Sequence, residues 1–180
     1  MVRIPDLKKA DAGPDRFLTV LRQALGNINE ERSFQDERSF QGALLQELAR
    51  RLERGVLPDD PIIEEQYHKR LRAHGIRIRP DIIVHVPFER RLTEGRGQGK
   101  FIAIELKLRA TAKTAKEALG NLAILKKVLK YPLTIFINVD SDETHFPLCP
   151  EGVVDQTVCF EVRLEDRNAL VRAAKCSPAA

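Results

Sequence analysis

An α/β fold, with an α+β mixed sheet flanked by helices, is what this sequence predicts, and three observations predict it. Residues 78–88 and 100–109 are rich in Ile and Val and are joined by Glu89–Gly99, which carries three glycines, as a long hairpin loop would. Between Glu37 and Glu53, Phe40, Leu44, Leu48 and Leu52 recur every fourth residue, which gives one apolar helix face. Taken along the chain, the patterns run helix, helix, three strands, helix, strand, strand, helix.

Each element has its own signal. Pro14 suits the first turn of a helix, Phe17, Leu18, Leu21 and Leu25 follow at helical spacing, and Gly26 offers a stop. The pentapeptide Glu31–Gln35 is then repeated as Glu37–Gln41; two copies fall short of the three stacked units a repeat architecture needs. A helix from about Glu37 to Glu53 ends at Gly55 and Pro58, and Ile62–Tyr67 reads as a strand before a basic loop through Gly75. After the hairpin, Thr114–Lys130 places Ala115, Ala118, Leu119, Leu122, Leu125 and Leu129 on one side of a helix that Tyr131–Pro132 terminates. Leu133–Val139 is a continuous apolar strand, Thr157–Leu164 another strand, and Glu165–Lys175 reads as a short terminal helix.

The 180 residues are read as a single domain spanning 1–180, with its core at about 37–140. Apolar runs are too short to span a bilayer and Met1–Ala10 lacks a secretory signal's apolar stretch, so a cytoplasmic protein with no membrane partner is expected. Three cysteines (Cys149, Cys159, Cys176) without Cys-x-x-Cys spacing indicate neither a disulfide framework nor a zinc site. Net charge is only +4, but residues 100–130 carry +6 and residues 140–166 carry −7. Lys69, Arg70, Arg72, Arg77 and Arg79 form a further basic cluster. Such polarity can gather a polyanion on one face, but solvated helix and loop surface is the preferred reading of a charge run alone, so charge only supports a nucleic-acid reading and cannot found one. The acidic segment suits a partner protein or a homodimer interface.

The chemistry lies in the hairpin. Strand side chains alternate, so Ile102, Ile104, Leu106 and Leu108 point to one face while Ala103, Glu105, Lys107 and Arg109 point to the other. Glu105 and Lys107 are thereby forced side by side in a strongly apolar strand, where charges are costly unless paired or bound to an ion. In the preceding strand Asp81, Ile83 and His85 share a face, and Pro80 interrupts or bends the ladder just before Asp81. A hairpin brings Asp81 to Glu105, and two carboxylates that close repel each other. A divalent cation relieves this. Mg2+ needs only one or two carboxylates besides its waters, and a lysine beside it can orient the attacking water or stabilise charge growing on a phosphate.

Pro80-Asp81 and Glu105-Leu106-Lys107, separated by 23 residues, resemble the motif of the PD-(D/E)xK nuclease superfamily. The resemblance covers about the central hundred residues, and Glu37–Val139 follows the superfamily's order of helix, three strands, helix, strand. It implies a restriction-endonuclease-like αβββαβ core with an extra N-terminal helix and a C-terminal strand-helix extension. It further implies an Mg2+-dependent nuclease, endonuclease or exonuclease, with Mn2+ as substitute, acting on DNA, with RNA not excluded. Asp81 and Glu105 would hold the metal and Lys107 would assist the attacking water.

Many members add an acid from the first helix. At about 100° per residue, Glu37 falls within the Phe40–Leu44–Leu48 stripe and Glu47 at its edge, so Glu37 is favoured as a third ligand near the metal or its waters. An exposed first-turn acid at the helix dipole is the plain alternative. Glu64 and Glu65 are weaker candidates. Lys113, Lys116 and Arg109 are the expected backbone-phosphate contacts, which give affinity without sequence readout. Gly95–Gly99 joins strand to strand and opens no helix, so it is no dinucleotide loop. His85 reads as a packed neighbour that could assist as ligand or proton carrier. The competing reading is a catalytically silent nucleic-acid-binding or protein-interaction module on the same scaffold.

Overall fold

The computed structural model describes residues 12–52, 62–65, 78–85 and 100–175. Among these residues six strands form one mixed sheet in sequence order: β1 (Ile62–Glu65), β2 (Ile82–His85), β3 (Lys100–Leu108), β4 (Leu133–Val139), β5 (Thr157–Glu165) and β6 (Asn168–Lys175). Strands β1, β2 and β3 pair antiparallel, β3, β4 and β5 parallel, and β5 and β6 antiparallel. Among the described residues the α-helices are α1 (Ala12–Gly26), α2 (Glu37–Arg51) and α3 (Ala112–Leu129). Among the described residues no helix is long and apolar enough to cross a membrane.

Alternation along each strand sends side chains to two separate cores. Ile102, Ile104 and Leu106 of β3, Ile135 and Ile137 of β4, and Val158, Phe160 and Val162 of β5 face α1 and α2, where Phe17, Leu21, Phe40, Leu44 and Leu48 cover them. Ile83, Ala103, Phe136 and Cys159 face the other way, against Ala115, Leu119, Leu122 and Leu125 of α3. Every residue of β4 is buried, which is why its sequence is apolar without alternation: it is a central strand covered on both sides. The expected faces of β3 are the observed ones.

Capping decides where the helices start. Asp36 is the N-cap of α2, accepting from the Ser39 amide at 2.8 Å and the Ser39 hydroxyl at 2.7 Å. Thr111 and Thr114 form a reciprocal capping box on α3, which therefore begins at Ala112, two residues ahead of the sequence expectation. Lys130, in the left-handed region (φ 59°), closes α3 ahead of Tyr131–Pro132.

Two expectations are corrected. The segment 165–175 is not a helix; the C-terminal extension is a strand-strand hairpin. Asp166 and Arg167 both have positive φ (48° and 62°) between the paired Glu165 and Asn168, the backbone of a two-residue type I′ turn that matches strand twist. Ala169 and Val171 then alternate inward against the α1–α2 core while Asn168, Leu170 and Arg172 face outward. The alanines of this segment favour a helix locally; a full-length ladder with β5 and an inward apolar pair outweigh that weak preference. Second, β2 begins at Ile82 rather than Ile78: residues 78–80 are irregular and Asp81 lies in a bend. Pro80 has no N–H for a ladder, so pairing starts only after it. The expected hairpin loop Glu89–Gly99, the basic residues Lys69, Arg70, Arg72 and Arg77, and Cys176 lie outside the described residues.

Candidate active site

Pairing between β2 and β3 ends at Ile82 opposite Ile104. One residue further, the ladder would set Asp81 against Glu105; instead the chain turns away, and a side chain takes over from the backbone. The Asp81 carboxylate accepts the Leu106 amide at 2.7 Å through Oδ2. Asp81 thus stands at the mouth of β2 and caps the part of β3 that β2 leaves unpaired.

Four charged groups converge there. The Lys107 ammonium donates to Glu37 Oε1 at 3.1 Å, lies 3.3 Å from Glu105 Oε1 and 3.9 Å from Asp81 Oδ2. It also donates to the Leu106 carbonyl at 2.6 Å. Glu37 arrives from the first turn of α2, seventy positions away in sequence. The structure therefore brings together Asp81, Glu105, Lys107 and Glu37. Glu47 takes no part: its carboxylate holds Arg50 at 2.7 Å and Arg51 at 3.2 Å.

One ammonium among three carboxylates leaves an excess of negative charge in a half-closed place. The Glu105 side chain is 8 % exposed, and its Oε2 is buried without a hydrogen-bond partner. Burial, with the Asp81 charge adding to it, pushes the Glu105 carboxyl up to about 7, against the pull of Lys107. Asp81 is also raised, chiefly by burial, with the Leu106 amide and Lys107 opposing and Glu37 adding. For Lys107, burial acts to lower its proton affinity, but Glu105, Asp81 and Glu37 together outweigh it and the net shift is upward. Lys107 stays charged. A buried acceptor with no donor, beside a second carboxylate of raised pKa, is the signature of a site short of positive charge, and the donor set (carboxylate oxygens only) suits a hard divalent cation. Among the described residues no three His, Cys, Asp or Glu side chains close into a metal cage; a cation here would be held by few protein ligands and complete its shell with water, as Mg2+ does.

Arg109, with φ 48°, leaves the strand and pairs with Asp140 at 2.6 Å, so its charge is engaged within the chain. Lys113 and Lys116 are exposed on the first turns of α3. Buried His85 contacts Glu64 of β1 at 2.9 Å. The Glu64 carboxylate is thereby directed to His85.

Sequence reasoning missed three residues that hold this geometry. Gln41, buried on α2 one turn after Glu37, donates from Nε2 to the Asp81 carbonyl at 3.0 Å. Its signal was a polar residue inside the Phe40–Leu44–Leu48 stripe. Asn138, level with Lys107 on the neighbouring strand, accepts the Ala110 amide at 2.9 Å and donates to Ser141 Oγ and the Glu143 carbonyl. His145 Nε2 donates to the Ala110 carbonyl at 2.8 Å. With the Arg109 amide bound to the Val139 carbonyl at 2.8 Å, these contacts clamp the turn that leads from Lys107 into α3. An asparagine one residue before the end of an apolar strand was the visible sign of the clamp; its partners were not.

No family model, curated protein or solved structure matches this chain.

Proposed function

We propose that this protein is an Mg2+-dependent nuclease of the PD-(D/E)xK kind, hydrolysing phosphodiester bonds in DNA. The observation that carries the reading is the meeting of Asp81, Glu105 and Lys107 around one point, with Glu37 joining from α2. The order α2, β1, β2, β3, α3, β4 in a mixed sheet supports the same family assignment. Asp81 and Glu105 would hold the cation, and Glu37 would serve the cation or its waters. Bound there, a divalent ion supplies positive charge that polarises a phosphoryl oxygen and acidifies water.

The chain's own residues do the rest. Lys107, whose proton affinity is raised, is a donor and a charge, not a proton acceptor. It orients a water or a non-bridging phosphate oxygen and offsets the negative charge that grows there. Burial of Glu105 beneath the strand end keeps bulk water from screening that interaction. Lys113 and Lys116, at the start of α3 and four residues or more beyond Arg109, meet backbone phosphates on the approach. The fixed Arg109–Thr111 turn sets where those lysines lie relative to Lys107.

The test is a cleavage panel on single-stranded, duplex, nicked and branched DNA and on RNA, with and without Mg2+ or Mn2+. Metal-dependent cleavage that disappears in Glu105→Ala and Lys107→Ala supports the proposal. A folded protein that cuts none of these and gives no heat with Mn2+ refutes it and leaves the silent binding module.

A further inference from the structure

We propose that Gln41 is a positioning residue for the site: it fixes the main chain of Asp81 so that the carboxylate is presented beside Glu105. The inference rests on the nuclease reading for its consequence, but not for its geometry. Asp81 sits in a bend outside the β2–β3 ladder, just after a proline, so the sheet itself does little to hold it. It is pinned at two points instead. The Gln41 carboxamide donates to its carbonyl at 3.0 Å, and the Leu106 amide donates to its carboxylate at 2.7 Å.

The placement of Gln41 argues for a role beyond packing. Its neighbours on the inward face of α2 are Phe40, Leu44 and Leu48, all fully buried. A buried carboxamide there carries a desolvation cost that a leucine would not, unless its hydrogen bond is needed. Glu37 lies one helical turn before it and reaches Lys107. A single rigid element thus supplies two contacts, one to the ammonium and one to the bend that bears a carboxylate. Because α2 is seated on the sheet by its leucines, the separation between Asp81 and Glu105 is set by helix packing rather than by a free loop. Metal-binding carboxylates need placement within about half an ångström, supplied by partners behind them.

The test uses Gln41→Leu, which keeps volume and removes the donor. Hydrogen exchange of the Leu106 amide is read in metal-free protein, with Ile135 and Ile137 of β4 as internal references. Mn2+ affinity is read by calorimetry, and kcat and KM are measured where cleavage is present. The expected result is Leu106 protection reduced about tenfold with the β4 amides unchanged, Mn2+ binding weakened 10–100-fold on the scale of such outer contacts, and kcat lowered at constant KM. A purely structural role would lower protection evenly across β3 and β4 and leave Mn2+ affinity intact, which would overturn the proposal. Should Gln41→Leu not fold, Gln41→Met serves instead, since it also lacks the donor, and unchanged Leu106 protection relative to β4 overturns the proposal. The Leu106 readout needs neither metal nor substrate. If the wild type neither binds Mn2+ nor cuts nucleic acid, the nuclease reading fails while the positioning claim is still judged on Leu106.

Discussion

Replacing Glu105 with glutamine should make the metal-free protein more stable, and by an amount that depends on pH. In the folded chain this carboxyl titrates at about 7 instead of 4.5, because it is buried beside Asp81. The folded state therefore binds that proton more tightly than the unfolded state. Its contribution is most favourable below 4.5 and is lost as pH rises through about 7. A rise of that size corresponds to roughly 3 kcal/mol of lost stability above neutrality, on an order-of-magnitude basis. Glutamine keeps the shape and never ionises, so Glu105→Gln escapes the penalty. In urea denaturation with chelator present, the variant's advantage should be under about 1 kcal/mol near pH 5 and about 3 kcal/mol near pH 8. Saturating Mg2+ should narrow the gap by stabilising only the wild type. An advantage that stays constant between pH 5 and pH 8 would show that Glu105 carries no shifted proton, and the account of the site as short of positive charge would fail with it.

Other consequences are equally direct. Lys107→Ala should abolish at least about two orders of magnitude of cleavage rate and lower stability most above neutral pH, where three carboxylates face one another without their cation; denaturation at two pH values alongside kinetics checks both. Asp81→Asn and Asp81→Ala should both lose metal binding, but only alanine leaves the Leu106 amide without its acceptor. Alanine should therefore cost about 1–3 kcal/mol more, and equal stabilities by denaturation would mean that the capping contact contributes nothing. Arg167→Gly should stabilise the β5–β6 hairpin by about 1 kcal/mol, since a non-glycine residue at φ 62° carries a steric cost of that order; a melting temperature unchanged or lowered would argue against the type I′ turn.

Much of this architecture was legible because it depends on local periodicity. The alternation of β3 places Glu105 and Lys107 beside each other whatever surrounds them, and the inward stripe of α2 singles out Glu37 over Glu47. Pro80 announces the break that leaves Asp81 in a bend. What the sequence does not display is pairing over distance. Gln41 looks like an error in an apolar stripe until the Asp81 carbonyl is seen opposite it. Arg109, expected to contact backbone phosphates, also pairs with Asp140 across the sheet end. The segment after Glu165 carries helix-favouring alanines and no Asn-Gly signal, so only its partner strand explains its conformation.

The twin pentapeptides give a lesson in how little separates two conformations. Glu31–Phe34 is a short 3-10 turn that turns Phe34 edge-on to Phe40 at 5.2 Å, whereas its double opens α2 and supplies Glu37 and Gln41. Identical letters cannot choose between these fates; their flanking residues differ, and the caps differ with them. Asp36 reaches the Ser39 amide, but Glu30, one methylene longer, makes no such bond and grips Arg32 instead. Shortening that one side chain, Glu30→Asp, would hand the first copy the same starting signal as the second, and the chain would then hold two rival beginnings for one helix. A one-carbon difference separates a helix start capped by its own side chain from a turn that is not.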